Sequence, residues 1–177
     1  MTYVELGLRL SLVGVFLASG LAKIRTFGDV VLMWTRLFDR VWPAKKNWAP
    51  QAAWVLVAVE VTTGVGLLFQ GLTRVFFLLI AIGLLASFSV LAILSARGVI
   101  TLDCACFGRA SATLGWRHLW RNFALLVVGS TALFSSPGNF GRTLDPGGVS
   151  ASVTAAVLVT LIAFFYDEIT DLLSGNW

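Results

Sequence analysis

The sequence predicts an all-α protein, an integral membrane bundle of four or five transmembrane helices with almost nothing outside the bilayer. Of 177 residues, 58% are hydrophobic and only 12% charged, and the mean hydropathy of +0.87 exceeds what a soluble domain around one core requires. Apolar runs recur at the length of a membrane crossing, about 20 residues. Four or five crossings with short connections consume the chain, which leaves no room for a second, water-soluble domain. The formal net charge of +4 does not signal a nucleic-acid partner, because the basic residues cluster between the apolar runs. The expected partner is the lipid bilayer, in a multi-pass arrangement.

The first apolar segment runs from Val4 to Ala22. Glu5 and Arg9, four apart, share one helix face and can pair. The run is too long for a signal-peptide core and no small-residue cleavage site follows it, so it is read as a retained helix. Gly14, Ala18 and Ala22 recur every four residues, either by chance or as a small-residue stripe that admits a neighbouring helix in lipid. Between Lys23 and Pro50, Val30, Trp34, Leu37, Phe38 and Val41 fall at helical spacing, with Arg36, Asp39 and Arg40 elsewhere around the turn. This amphipathic stretch is expected to lie on the membrane surface.

A second span covers Ala52 to Phe69 and a third Val75 to Leu94, joined through Gln70, Gly71 and Arg74 as a helical hairpin. From Arg97 to Asn122 the apolar continuity breaks, and this stretch gathers glycines, an aspartate, both cysteines and the sole histidine. A fourth span begins with polar turns and covers Trp116 to Phe134. After a connection containing Pro137, Gly138, Pro146, Gly147 and Gly148, the 18 residues from Val149 to Tyr166 can form a fifth, trailed by Asp167, Glu168 and Asp171. The expected organisation is a four-helix transmembrane domain over residues 1–135, followed by a connection, a fifth C-terminal helix and an acidic tail over 136–177.

If all five segments cross, the connections Lys23 to Pro50 and Ser95 to Arg121 share one side with the C-terminus. They hold ten of the thirteen Lys and Arg residues, the other side having only Arg9, Arg74 and Arg142. The positive-inside rule then places the basic side in the cytoplasm.

The chemistry-bearing residues lie on that side. Cys104 and Cys106 are the only cysteines, in the run Leu102-Asp103-Cys104-Ala105-Cys106-Phe107-Gly108. Two cysteines placed at random in this length would stand two apart roughly one time in ninety, so a paired role is favoured over separate packing roles. With one residue between them a disulfide closes a small, strained and readily reduced ring. So short a loop barely restricts the unfolded chain, which suits exchange better than stapling. The dipole of the fourth helix and Arg109, Arg117 and Arg121 would favour a thiolate, whereas Asp103 would oppose it. A copper(I) or zinc site built on the two thiolates and His118 is short of ligands, and no metal is assigned. His118 taken alone reads as an interfacial helix residue.

Glu60 stands near the middle of the second span, where a carboxylate must pair or line a polar path. The long side chain of Arg9 is one candidate partner by helical rise; Lys23, Arg121 and Asn122 are candidates from the opposite face. A structural pair, a proton relay and a polar cofactor contact are all open readings.

These residues carry a family resemblance. Ala96-Arg97-Gly98, the run Asp103 to Gly108, and Arg121-Asn122 resemble the MauE (methylamine utilisation) family, in which a D-C-G-C-F-G-like motif precedes an R-N pair. Arg9 followed by Ser19-Gly20-Leu21-Ala22-Lys23 resembles the opening span of MauE and the related DoxX proteins, and Glu60 falls where MauE-like proteins carry a glutamate. The likeness covers roughly residues 6–134. It implies a four-helix core and a redox-associated membrane protein that helps form or manage disulfides in an exported partner, often beside a thioredoxin-like protein. It also invites comparison with the vitamin K epoxide reductase bundle, which passes electrons to quinone, and so makes quinone the cofactor to consider. The chain departs from the pattern at Ala105, where glycine is frequent, and in lacking a second cysteine pair.

The expected function is therefore thiol–disulfide exchange or disulfide maturation of a partner protein, with Cys104, Cys106, Arg121 and Glu60 as the site residues. Service to an exported partner would put the cysteines outside, opposite to the side the loop charges indicate. The alternatives are a non-catalytic accessory subunit of a larger membrane complex, such as a respiratory one, and thiolate-based metal or cofactor handling.

Overall fold

A computed structural model describes residues 3–98, 116–135 and 145–174, and among them every regular element is helical. Six α-helices and one 3-10 turn follow in order: α1 Tyr3–Arg25, α2 Phe27–Val41, the turn Pro43–Trp48, α3 Ala49–Gly66, α4 Leu72–Ala96, α5 Trp116–Phe134 and α6 Pro146–Ser174. The all-α bundle predicted from composition is the observed fold.

Local chemistry sets the breaks. Pro43 cannot donate a backbone hydrogen bond, so α2 ends at Val41 and a 3-10 turn takes over. Pro50 sits in the first turn of α3, where its missing N–H leaves nothing unsatisfied. Gly71 opens α4 at φ +75°, a conformation that β-carbon sterics deny to most residues, and so lets α3 and α4 form the tight hairpin expected.

α1 is the spine of the bundle. It packs on α3, α5 and α6, and 56% of its apolar window is buried, against 28% for α4 and 17% for α6. The directions follow from particular contacts. Gly20 lies under Val61 and Gly64 under Leu17, so α1 and α3 run antiparallel. Gly7 meets Ser152 and Gly14 meets Thr160, so α6 runs parallel to α1. At Gly14 a β-carbon would collide with the Thr160 side chain, which gives that member of the proposed small-residue stripe a structural reason. Ser152 Oγ donates to the Tyr3 carbonyl at 2.8 Å, which fastens the start of α6 to the start of α1.

Two apolar clusters result. The larger joins Leu12, Val15 and Phe16 of α1 with Leu78, Ala81 and Leu85 of α4, Leu125 and Ala132 of α5 and Ala163 of α6. The smaller joins Val30 and Met33 of α2 to Ala53 and Leu56 of α3 and Ala92 of α4, with Trp34 and Leu37 packed against it. The sequence expectation for α2 therefore changes in one respect. Its apolar stripe exists, but Val30, Trp34 and Leu37 are covered by α3 and α4 rather than left for a lipid surface. Helical periodicity reveals an apolar face but not what covers it.

Among the described residues, three helices are long and apolar enough to cross a membrane: Tyr3–Arg25, Leu72–Ala96 and Pro146–Tyr166. α3 and α5 stand where the second and fourth spans were predicted but are more polar. α3 carries Gln51 and Glu60; α5 carries Arg117, His118, Arg121 and Asn122.

Candidate functional site

Glu60 sits on α3 about two turns before the helix ends, and the antiparallel register brings it beside the last turns of α1. There Lys23 meets it. Lys23 Nζ donates to Glu60 Oε1 at 2.7 Å, to Oε2 at 2.8 Å and to Ser19 Oγ at 2.6 Å. Ser19 Oγ in turn donates to Glu60 Oε2 at 3.3 Å. An ammonium has three donors, and all three are used here. Lys23 and Glu60 are 2% and 1% exposed, so the pair is withdrawn from solvent and held by mutual charge and hydrogen bonds. Lys23 Nζ also lies 5.2 Å from the centre of the Phe88 ring of α4, within cation–π range.

Of the candidate partners for Glu60, Lys23 is thus the one that binds it. The alternative based on helical rise, Arg9, lies about four turns nearer the start of α1. A second buried pair occupies that end, where the Arg74 guanidinium donates to the Glu5 carboxylate.

The Lys23–Glu60 pair borders a cavity of about 40 Å³. Ser19, Lys23 and Glu60 form one wall, and His118, Arg121 and Asn122 of α5 another; Phe16, Leu85, Phe88 and Leu125 close the apolar side. A space of this size has room for one or a few water molecules, since a single water needs about 10–15 Å³ by the same kind of measure. His118, Arg121 and Asn122 reach it together because residues three and four apart share a helix face. Arg121 is close enough to Lys23 for their positive charges to act on one another.

Two of the four expected site residues, Glu60 and Arg121, are therefore brought to one cavity. The other two, Cys104 and Cys106, lie outside the described residues, as does Asp103. His118 entered the sequence reading only as a metal-ligand candidate and an interfacial residue, and Ser19 only within a family motif. The spacing of His118 with Arg121 and Asn122, and of Ser19 with Lys23, was the available signal.

Fold and site together define a membrane protein: a helical bundle with, among the described residues, three membrane-length apolar helices and a small cavity near one end bordered by a buried ion pair. The family model for methylamine utilisation protein MauE matches residues 1–135, which takes in α1 to α5 and stops short of α6. The chain belongs to the MauE family. No curated protein and no solved structure matches it.

Proposed function

We propose that this MauE-family protein carries out thiol–disulfide exchange with a partner protein through Cys104 and Cys106, and that it does so as a multi-pass protein of the bacterial plasma membrane. The observation that carries the reading is the pair itself: the chain's only two cysteines, one residue apart, in the connection from α4 to α5. Family membership supports it, because the residues by which the sequence resembles MauE proteins include this run and the Arg121-Asn122 pair that follows, all within the matched range.

In the oxidising direction, a thiolate of the partner attacks the Cys104–Cys106 disulfide and forms a mixed disulfide. The partner's second thiolate then displaces the remaining cysteine. Two electrons and two protons pass from the partner dithiol, which becomes a disulfide, to Cys104 and Cys106, which become thiols. A thioredoxin-like protein or a quinone then removes the same two electrons and protons. Arg121 is assigned to favour the thiolate form electrostatically, and Glu60, held by Lys23, to fix the charge balance of the bundle interior. The unit of residues 1–135, which holds α1 to α5, is read as the working domain, with the chain beyond it as an addition.

The test is to express the full chain with Cys104→Ser and Cys106→Ser and to follow the disulfide state of its methylamine-utilisation partner proteins by thiol alkylation and mass shift. The expected outcome is a partner that accumulates as reduced or mispaired forms. Unchanged partner disulfides, with co-purification of a larger complex intact, would mark the protein as an accessory subunit instead.

A further inference from the structure

The end of the bundle that carries α2 has a surface built from none of the residues proposed for thiol exchange. Because Val30, Met33 and their neighbours are turned onto α3 and α4, the outer side of α2 and the turn after it is left exposed. Arg25, Arg36, Arg40, Lys45 and Lys46 are all exposed there. Only two carboxylates occur in the same stretch, Asp29 and Asp39, and Asp39 is met by Lys46 at 3.1 Å. Five cations against two anions leave a net charge of +3 on residues 24–59 outside Glu60.

Tryptophans are interleaved with these charges. Trp42 is 62% exposed, Trp48 64% and Trp54 57%, and Lys45 Nζ stands 5.7 Å from the Trp42 ring centre. Indole side chains this open to water are unfavourable on a soluble surface but favoured where hydrocarbon meets headgroups. Their level in the fold agrees, since the membrane-length helices α1 and α4 end beside this surface, at Arg25 and Ala96.

We propose that the outer side of α2, the turn Pro43–Trp48 and the first turns of α3 form a collar that binds anionic phospholipid headgroups, the basic residues taking phosphate and the tryptophans the headgroup–acyl boundary. Charge complementarity favours this occupant: a zwitterionic headgroup offers no net charge to five cations, whereas an anionic one does. The collar is independent of the cysteines, and its failure would leave the exchange reading untouched.

The full chain is reconstituted into phosphatidylcholine vesicles in which increasing fractions are brominated phosphatidylglycerol or brominated phosphatidylcholine, and tryptophan quenching is read. The triple variant Trp42→Phe/Trp48→Phe/Trp54→Phe isolates the collar's share of the signal. The collar tryptophans are expected to be quenched by the anionic lipid at a mole fraction lower by about fivefold or more, from roughly 1 kcal/mol per basic residue near an anionic surface. Raising the salt should shrink this preference, and Arg36→Gln/Arg40→Gln/Lys45→Gln/Lys46→Gln should abolish it. Equal quenching by both lipids in the unaltered protein overturns the proposal, as does a preference that survives high salt. The salt titration needs no variant, so it decides even if the fourfold substitution does not fold.

Discussion

The two ends of α1 solve the same problem differently. Glu5 and Lys23 are 18 residues apart, roughly 27 Å along a helix and close to the thickness of a hydrocarbon core. At one end Glu5 is bound by Arg74 of α4; at the other Lys23 is bound by Glu60 of α3. Both pairs are almost wholly withdrawn from solvent. Among the described residues the Lys23 end has a hydroxyl that bridges the pair, a cavity beside it and three polar residues of α5 lining that cavity. A buried pair can fasten helices without any free volume. Space for water next to fixed charges is what chemistry requires, and only a comparison of the two ends in function can separate the two roles.

The sharpest way to break the comparison is to remove one charge from each pair. Glu60→Ala and Glu5→Ala each leave a buried cation without its carboxylate and are expected to destabilise the protein by about 3–5 kcal/mol, measured as unfolding in detergent or bicelles. Replacing whole pairs then separates stability from function. Lys23→Met/Glu60→Leu and Glu5→Leu/Arg74→Met should both be near neutral in stability, within about 1–2 kcal/mol. Partner disulfide formation should be lost in the first double variant and kept in the second. Loss in both would reduce the Lys23 end to a fastening like the other. Smaller again is Gly14→Leu, whose side chain would force α6 away from α1 at Thr160, expected to cost about 1–3 kcal/mol and to raise proteolysis of α6 while leaving the cavity intact. The mildest change is His118→Gln, which keeps a hydrogen-bonding side chain on the cavity wall. It should alter stability by under about 1 kcal/mol but slow exchange if His118 handles protons there, read as a change in the pH profile of cysteine alkylation.

The bundle was legible because lipid demands long apolar runs: each predicted span begins within a few residues of a helix start, and all but the last end within a few residues of a helix end. α5 matches its predicted range, Trp116 to Phe134. α6 runs beyond its apolar stretch to Ser174, since an acidic tail offers no hydrophobic signal but can still be helical. The partner of Glu60 was legible only as a short set of candidates, because helical rise gives depth but not the rotation that turns Lys23 and Glu60 towards each other. His118 was undervalued for a similar reason. Read alone it is one interfacial residue; read with Arg121 and Asn122 it is the first member of a polar face.

The parallel packing of α1 and α6 has a consequence for biogenesis. The hydrogen bonds from Ser152 to Tyr3 and from Thr160 to Ser11 each join residues 149 positions apart. At translation rates of about 5–20 residues per second, α1 waits roughly 7–30 s after its own synthesis for the helix that covers Gly7, Ser11 and Gly14. Until then that groove faces lipid or a temporary partner. The bundle is therefore closed by a late helix, and a ribosome stalled before α6 would leave the chain's most buried helix open along one side.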